Sequence, residues 1–112
     1  MKELIPKDNY GVFADTNDIA RADSIFVAKC FEKEHNIRKI LSPSSGLSEE
    51  FGRLNFQPTS YIDTWNRKQA AYAMTRDGFT LLAMGYTGEK AMRFKELYIR
   101  RFNEMECFIK TL

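Results

Sequence analysis

The residues best suited to chemistry are cations without acidic neighbours. Arg67, Lys68 and Arg76 lie in a stretch where no acid falls between Trp65 and Arg76. A positively charged hairpin tip of this kind can enter a groove or hold phosphate oxygens. Trp65 stands beside it, and an aromatic ring among cations can stack on a base. A second cluster comprises Lys29, Lys33, His35, Arg38 and Lys39, diluted by Glu32 and Glu34. On a recognition helix, Arg38 and Lys39 would face phosphates or base edges. A solvated turn and an ordinary helix surface carry the same residue types, so neither cluster names a function by itself.

Enzyme chemistry finds less support. His35 is the sole imidazole, and its neighbours Glu34 and Asn36 would project to other faces of a helix. Asp63, Asp77 and Glu104 have no spacing that pairs them for acid–base work. No glycine loop is built to cradle phosphate. One histidine and no Cys-x-x-Cys leave no zinc site of the usual kind. The expectation is a protein without catalytic residues, metal or cofactor.

At 112 residues and a net charge of +2, the chain is expected to fold as one domain over 11–112 behind a flexible N-terminus over 1–10. Weak positive charge permits a nucleic-acid partner without demanding one. Cys30 and Cys107 fall on apolar helical patterns and read as reduced core residues. The opening residues lack a signal-peptide core. No apolar run approaches a membrane span, so a cytosolic chain with no membrane partner is expected.

The elements that must position these residues follow from pattern. Gly11 to Asp15 suits a strand, with Ile19 to Arg21 returning as a second; alternatively Asp15 or Thr16 caps a helix there. Asp23-Ser24 caps a helix through Phe31, and Ile37 to Leu41 starts another that Pro43 ends. This pair has the outline of a helix-turn-helix. Leu47 to Gly52 suits one helical turn. Phe56 to Trp65 and Ala71 to Met74 read as an antiparallel hairpin reversing over Asn66–Gln69, with Pro58 tolerable on an edge. Thr75 caps a helix that stops near Gly85. A long amphipathic helix follows and can run to the C-terminus, its apolar side formed by Ala91, Phe94, Tyr98, Phe102, Met105, Ile109 and Leu112. Its outer face alternates in sign, and Glu89–Arg93 and Glu96–Arg100 have ion-pair spacing. Arg101 and Lys95 lie at the margins of its apolar side. The expected class is α+β: an N-terminal helical pair, a β-hairpin and two C-terminal helices.

Three stretches carry a resemblance: N-F-Q-P-T-S-Y-I-D (Asn55–Asp63), Y-A-M-T-R-D-G-F-T-L-L-A-M-G-Y-T-G-E-K-A (Tyr72–Ala91) and F-K-E-L-Y-I-R-R-F-N-E-M-E (Phe94–Glu106). With D-S-I-F-V-A-K-C-F-E-K-E-H (Asp23–His35) they resemble the phage regulatory protein Rha family. The family pattern carries about one more helical turn after the histidine than this chain does. The resemblance implies a phage or prophage regulator acting on DNA or on a DNA-bound repressor in the bacterial cytoplasm. It supplies no catalytic residues. The expected partner is DNA, at the nucleoid, through Lys29, Lys33, His35, Arg38, Lys39, Arg67, Lys68 and Arg76. The alternative is an antirepressor-type module that binds a repressor through an apolar patch around Phe102, Cys107, Phe108 and Ile109. A homodimer through the same helix end is compatible with either.

Overall fold

The computed structural model of the protein describes residues 3–33 and 37–112, apart from the side chains at 38 and 43. Among these residues, five strands form one antiparallel sheet: β1 (Glu3–Ile5), β2 (Val12–Asp15), β3 (Ala20–Asp23), β4 (Phe56–Ile62) and β5 (Lys68–Met74). Their order across the sheet is β1-β2-β3-β5-β4. The helices are α1 (Ser24–Phe31), α2 (Ile37–Leu41), α3 (Glu49–Asn55), α4 (Arg76–Ala83) and α5 (Glu89–Lys110).

The expected opening on a helical pair is therefore corrected. Three strands come first, and the hairpin is two strands of five. The reason is burial. Every residue of β2 and β3 is buried, including Asp15 and Arg21, which pair with each other, so the polar residues of these runs do not mark a solvent face. The two runs are also only four residues each, too short for periodicity to separate strand from helix.

Register explains how the core is filled. Val12 pairs with Ala22, Ala14 with Ala20, and Ala22 with Met74, so these five side chains share one face. They join a core that includes Val27, Phe31, Phe79, Tyr98 and Phe102. Three alanines on this face let α5 approach closely, and aromatic rings fill the remaining volume. Phe31 sits 4.8 Å from Tyr86, 5.6 Å from Phe94 and 5.9 Å from Tyr98 by ring centroid. Tyr98 is fully buried, and its hydroxyl donates to the Tyr10 carbonyl at 2.8 Å. Burial pushes its phenol well above the ordinary tyrosine range.

Helix starts follow the capping chemistry. Asp23 accepts from the Ile25 amide at 2.9 Å and begins α1. Ser48 accepts from Phe51 at 3.2 Å and begins α3. Thr75 accepts from Gly78 at 3.2 Å and begins α4. A Cβ on Gly78 would stand 2.6 Å from the Asn55 carbonyl oxygen, so only glycine lets α4 lie this close to the end of α3. Charges on α5 work mostly over long range, with one pair, Arg101–Glu104, closing within the helix. Lys90 pairs with Glu32, Arg101 with Asp8 and Glu104, and Arg76 with Glu106. Neither Glu89–Arg93 nor Glu96–Arg100 closes as an ion pair among the described residues. Cys30 is half-buried and Cys107 exposed, both as free thiols, which corrects the core placement of Cys107.

The hairpin register runs from Phe56↔Met74 to Ile62↔Lys68. The Thr75 amide donates to Asn55 at 3.1 Å and the Asp63 amide to Arg67 at 2.9 Å. Bonded pairs therefore fall at odd positions of β4, as antiparallel ladders alternate. Residues 56, 58, 60 and 62 turn their backbone groups to the free edge. Pro58 occupies one of these positions, where its missing N–H costs no ladder bond.

Candidate nucleic-acid interface

The hairpin reverses over Asp63 to Arg67, earlier than the expected Asn66–Gln69, which puts Trp65 in the turn and Lys68 in β5. Asp63 builds the turn. Its Oδ1 accepts from the Trp65 and Arg67 amides, both at 2.9 Å. Its Oδ2 accepts from Arg67 Nε and Gln69 Nε2, both at 3.1 Å. The Asn66 amide closes back on the Asp63 carbonyl at 3.0 Å. Asn66 is left-handed at φ 59, which asparagine tolerates. The Arg67 amide does most to hold the Asp63 carboxyl below its ordinary 3.8; slight desolvation opposes it, and Gln69, Trp65 and the Arg67 side chain add to it.

The same construction occurs twice more. Asp15 Oδ1 accepts from the Asn17 amide at 2.8 Å and the Ile19 amide at 3.1 Å, with Asp18 left-handed at φ 62. Asp8 Oδ1 accepts from Tyr10 at 2.8 Å and Val12 at 3.0 Å, with Gly11 at φ 78. In each turn an arginine takes the other carboxylate oxygen: Arg21 Nε on Asp15 at 2.6 Å, and Arg101 Nε on Asp8 at 2.8 Å. Burial by itself would raise the Asp15 carboxyl. The Arg21 bond and the Ile19 and Asn17 amides outweigh it and hold the group below its ordinary 3.8.

The three turns differ in what they display. The Asp8 turn packs Tyr10 edge-on against Tyr98, with centroids 6.0 Å apart. The Asp15 turn shows Thr16, Asn17 and Asp18 to solvent. The Asp63 turn shows Thr64, Trp65 and Asn66, and Trp65 is 78% exposed. Arg67 and Lys68 follow it, both exposed. Lys68 takes part in no ion pair among the described residues.

The remaining candidates divide. Arg76 stands beyond the other end of β5, a strand of seven residues, or about 23 Å at strand rise. Its guanidinium pairs with Glu106, donates to Asn103 at 2.9 Å and lies 5.4 Å over the Phe102 ring. It ties α4 to α5. Lys29 and Lys33 are exposed at the end of α1 and just beyond it, and Lys39 is exposed on α2. Among the described residues, no ion pair or hydrogen bond joins them to the hairpin turn. His35 and the Arg38 side chain lie outside the described residues. Sequence reasoning missed the role of Asp63. The available signal was the repeated spacing D-N-Y-G-V, D-T-N-D-I and D-T-W-N-R, an aspartate followed at the third place by a residue that accepts a left-handed backbone.

Among the described residues, no group of three or more His, Cys, Asp or Glu side chains could hold a metal ion. No helix there is long and apolar enough to cross a membrane.

Two curated relatives are similar to this chain. A Haemophilus influenzae uncharacterized protein is 42% identical over 106 residues, covering 88% of this chain and 60% of that protein. An uncharacterized 22.8 kDa protein of the gp15-gp3 intergenic region of Salmonella phage P22 is 35% identical over 92 residues, covering 79% of this chain and 45% of that protein. The chain thus spans about half the length of the curated relatives it matches. No solved structure matches. The family described as phage regulatory protein Rha matches residues 22–107, and the chain belongs to that family.

Proposed function

We propose that this phage regulatory protein acts as a non-catalytic DNA-binding regulator of phage development, in the bacterial cytoplasm at the nucleoid. One observation carries the reading. Three turns share a backbone, and only the Asp63 turn places an exposed tryptophan beside two cations. The Asp15 turn forms with Asn17 where the Asp63 turn has Trp65, so the turn itself does not require an indole. The indole and the neighbouring Lys68 are surplus to folding and suited to a nucleic acid. Lys68 and Arg67 would hold phosphates at the turn, with Lys29, Lys33 and Lys39 as a second set. Arg76 is assigned to structure.

The test is a fluorescence-anisotropy titration of labelled duplex DNA across a salt series. Phosphate contacts make affinity fall steeply with salt. Lys68→Ala should weaken binding across sequences and lower the salt slope by about 1. Absence of binding even at low salt sinks the reading.

A second reading, an antirepressor-type module that binds a repressor without touching DNA, draws on Phe108. This side chain is 62% exposed and borders a shallow hollow of about 310 Å³ with Glu104, Cys107 and Thr111. The patch is smaller than the sequence suggested, because Phe102 is buried and Ile109 half-buried. Recovery of a phage repressor by the wild type and not by Phe108→Ser would favour this reading.

A further inference from the structure

We propose that Trp65 is an intercalating wedge: the Asp63 turn enters a groove of duplex DNA, and the indole opens a base step and kinks the helix. This rests on the DNA-binding reading and adds its mode. Four side-chain bonds from Asp63 fix the turn before any partner arrives. Insertion therefore orders little that is not already ordered, and pre-organisation of this kind favours binding. β-Ribbons are used in the minor groove, the side from which apolar wedges enter between base steps. The indole stands at the tip, and Ile62, three residues before it, is also exposed. Unstacking a base step is costly, and an apolar side chain placed between the bases offsets that cost. Arg67 and Lys68 lie next to the wedge, where phosphates flanking an opened step would come close. Thr64 and Asn66, on either side of Trp65, offer a hydroxyl and an amide to base edges.

The experiment uses the full chain and a duplex labelled at both ends for energy transfer. Trp65 is the sole tryptophan, so its emission reads the site directly. Wild-type protein should quench Trp65 emission on binding and shorten the end-to-end distance, consistent with a kink of about 20–90°. Trp65→Asn copies the residue at the equivalent place of the Asp15 turn. It should bind about tenfold or more weakly, as loss of a base stack implies, and leave the duplex straight. Trp65→Phe keeps an aromatic wedge and should retain the kink. Circular dichroism matching the wild type shows that each variant is folded. Salt-dependent binding with unquenched Trp65, or an Asn variant that bends DNA as the wild type does, overturns the wedge and leaves DNA binding standing. No binding at low salt overturns both.

Discussion

In the Asp15 turn, a carboxylate, two amides and an arginine are locked at the end of two central strands. In the Asp63 turn, the same bonds are locked in solvent. Arg21 is 7% exposed and also donates to the Ala73 carbonyl at 3.1 Å, whereas the Arg67 side chain is 64% exposed. The difference teaches which contacts belong to folding. Around Asp15 a single bonded set joins β2, β3 and β5, so its loss would be felt across the sheet. Around Asp63 the set joins one hairpin to itself, so its loss would be felt at the tip. Two turns with one backbone can thus serve stability and display separately.

The sharpest way to break this comparison is Asp15→Ala. It strands a buried guanidinium, and removing one partner of a buried pair costs about 3–5 kcal/mol. Urea unfolding should show a loss of that order; a loss below 1 kcal/mol would mean the Asp15 set is no more structural than the Asp63 set. Gly11→Ala probes the third turn. A Cβ there would fall 2.4 Å from the Phe26 Cβ at a left-handed φ of 78. Overpacking and backbone strain together should cost about 2–4 kcal/mol, read from the same urea transitions. Asp63→Ala should destabilise less than either, and its effect should be local. Trp65 emission anisotropy should fall as the turn loosens, and DNA affinity should fall with it.

Acid divides the two turns again. Asp15 and Asp63 both have carboxyls held below 3.8 in the fold, so the unfolded chain binds more protons near that pH. Their contribution is full above the ordinary carboxylate value and is lost as pH falls below it, toward the folded values. Far-ultraviolet circular dichroism should report the Asp15 loss and Trp65 emission the Asp63 loss. A single coincident transition would mean that the tip is not a separate unit. The smallest expected effect is the most telling. Trp65→Asn should change stability by about 0.5 kcal/mol at most, as surface substitutions do, while weakening DNA binding. A large destabilisation would return Trp65 to the fold.

The parts of this molecule legible in the sequence are those set by local chemistry. The Asp23 and Thr75 caps, the hairpin and the apolar side of α5 are written within a few residues of where they act. Strand order is not, because β5 inserts between β3 and β4 from far along the chain. Ion pairs divided the same way. Glu89 and Arg93 suggested a pair by spacing, but apart from the local Arg101–Glu104 pair the cations that pair on or against α5 reach Glu32, Asp8 and Glu106 from across the fold. Arg76 looked like part of the basic tip because it follows closely in sequence, yet a strand of seven residues carries it away. The place of Trp65 beside Arg67 and Lys68 was legible in the sequence. Its setting was not, since the meaning of D-T-W-N-R appears only once the other two turns are seen.

Pro58 has a consequence for how the protein behaves in concentrated solution. Open strand edges are where chains stack into fibres, through rows of unsatisfied amides. At the free edge of β4 the Phe56 amide is taken by the Gly52 carbonyl, and Pro58 has none. Donors remain at Ser60 and Ile62, too few to template a growing sheet along an uncharged strand. One pyrrolidine ring thus guards colloidal stability beside a turn that stays exposed.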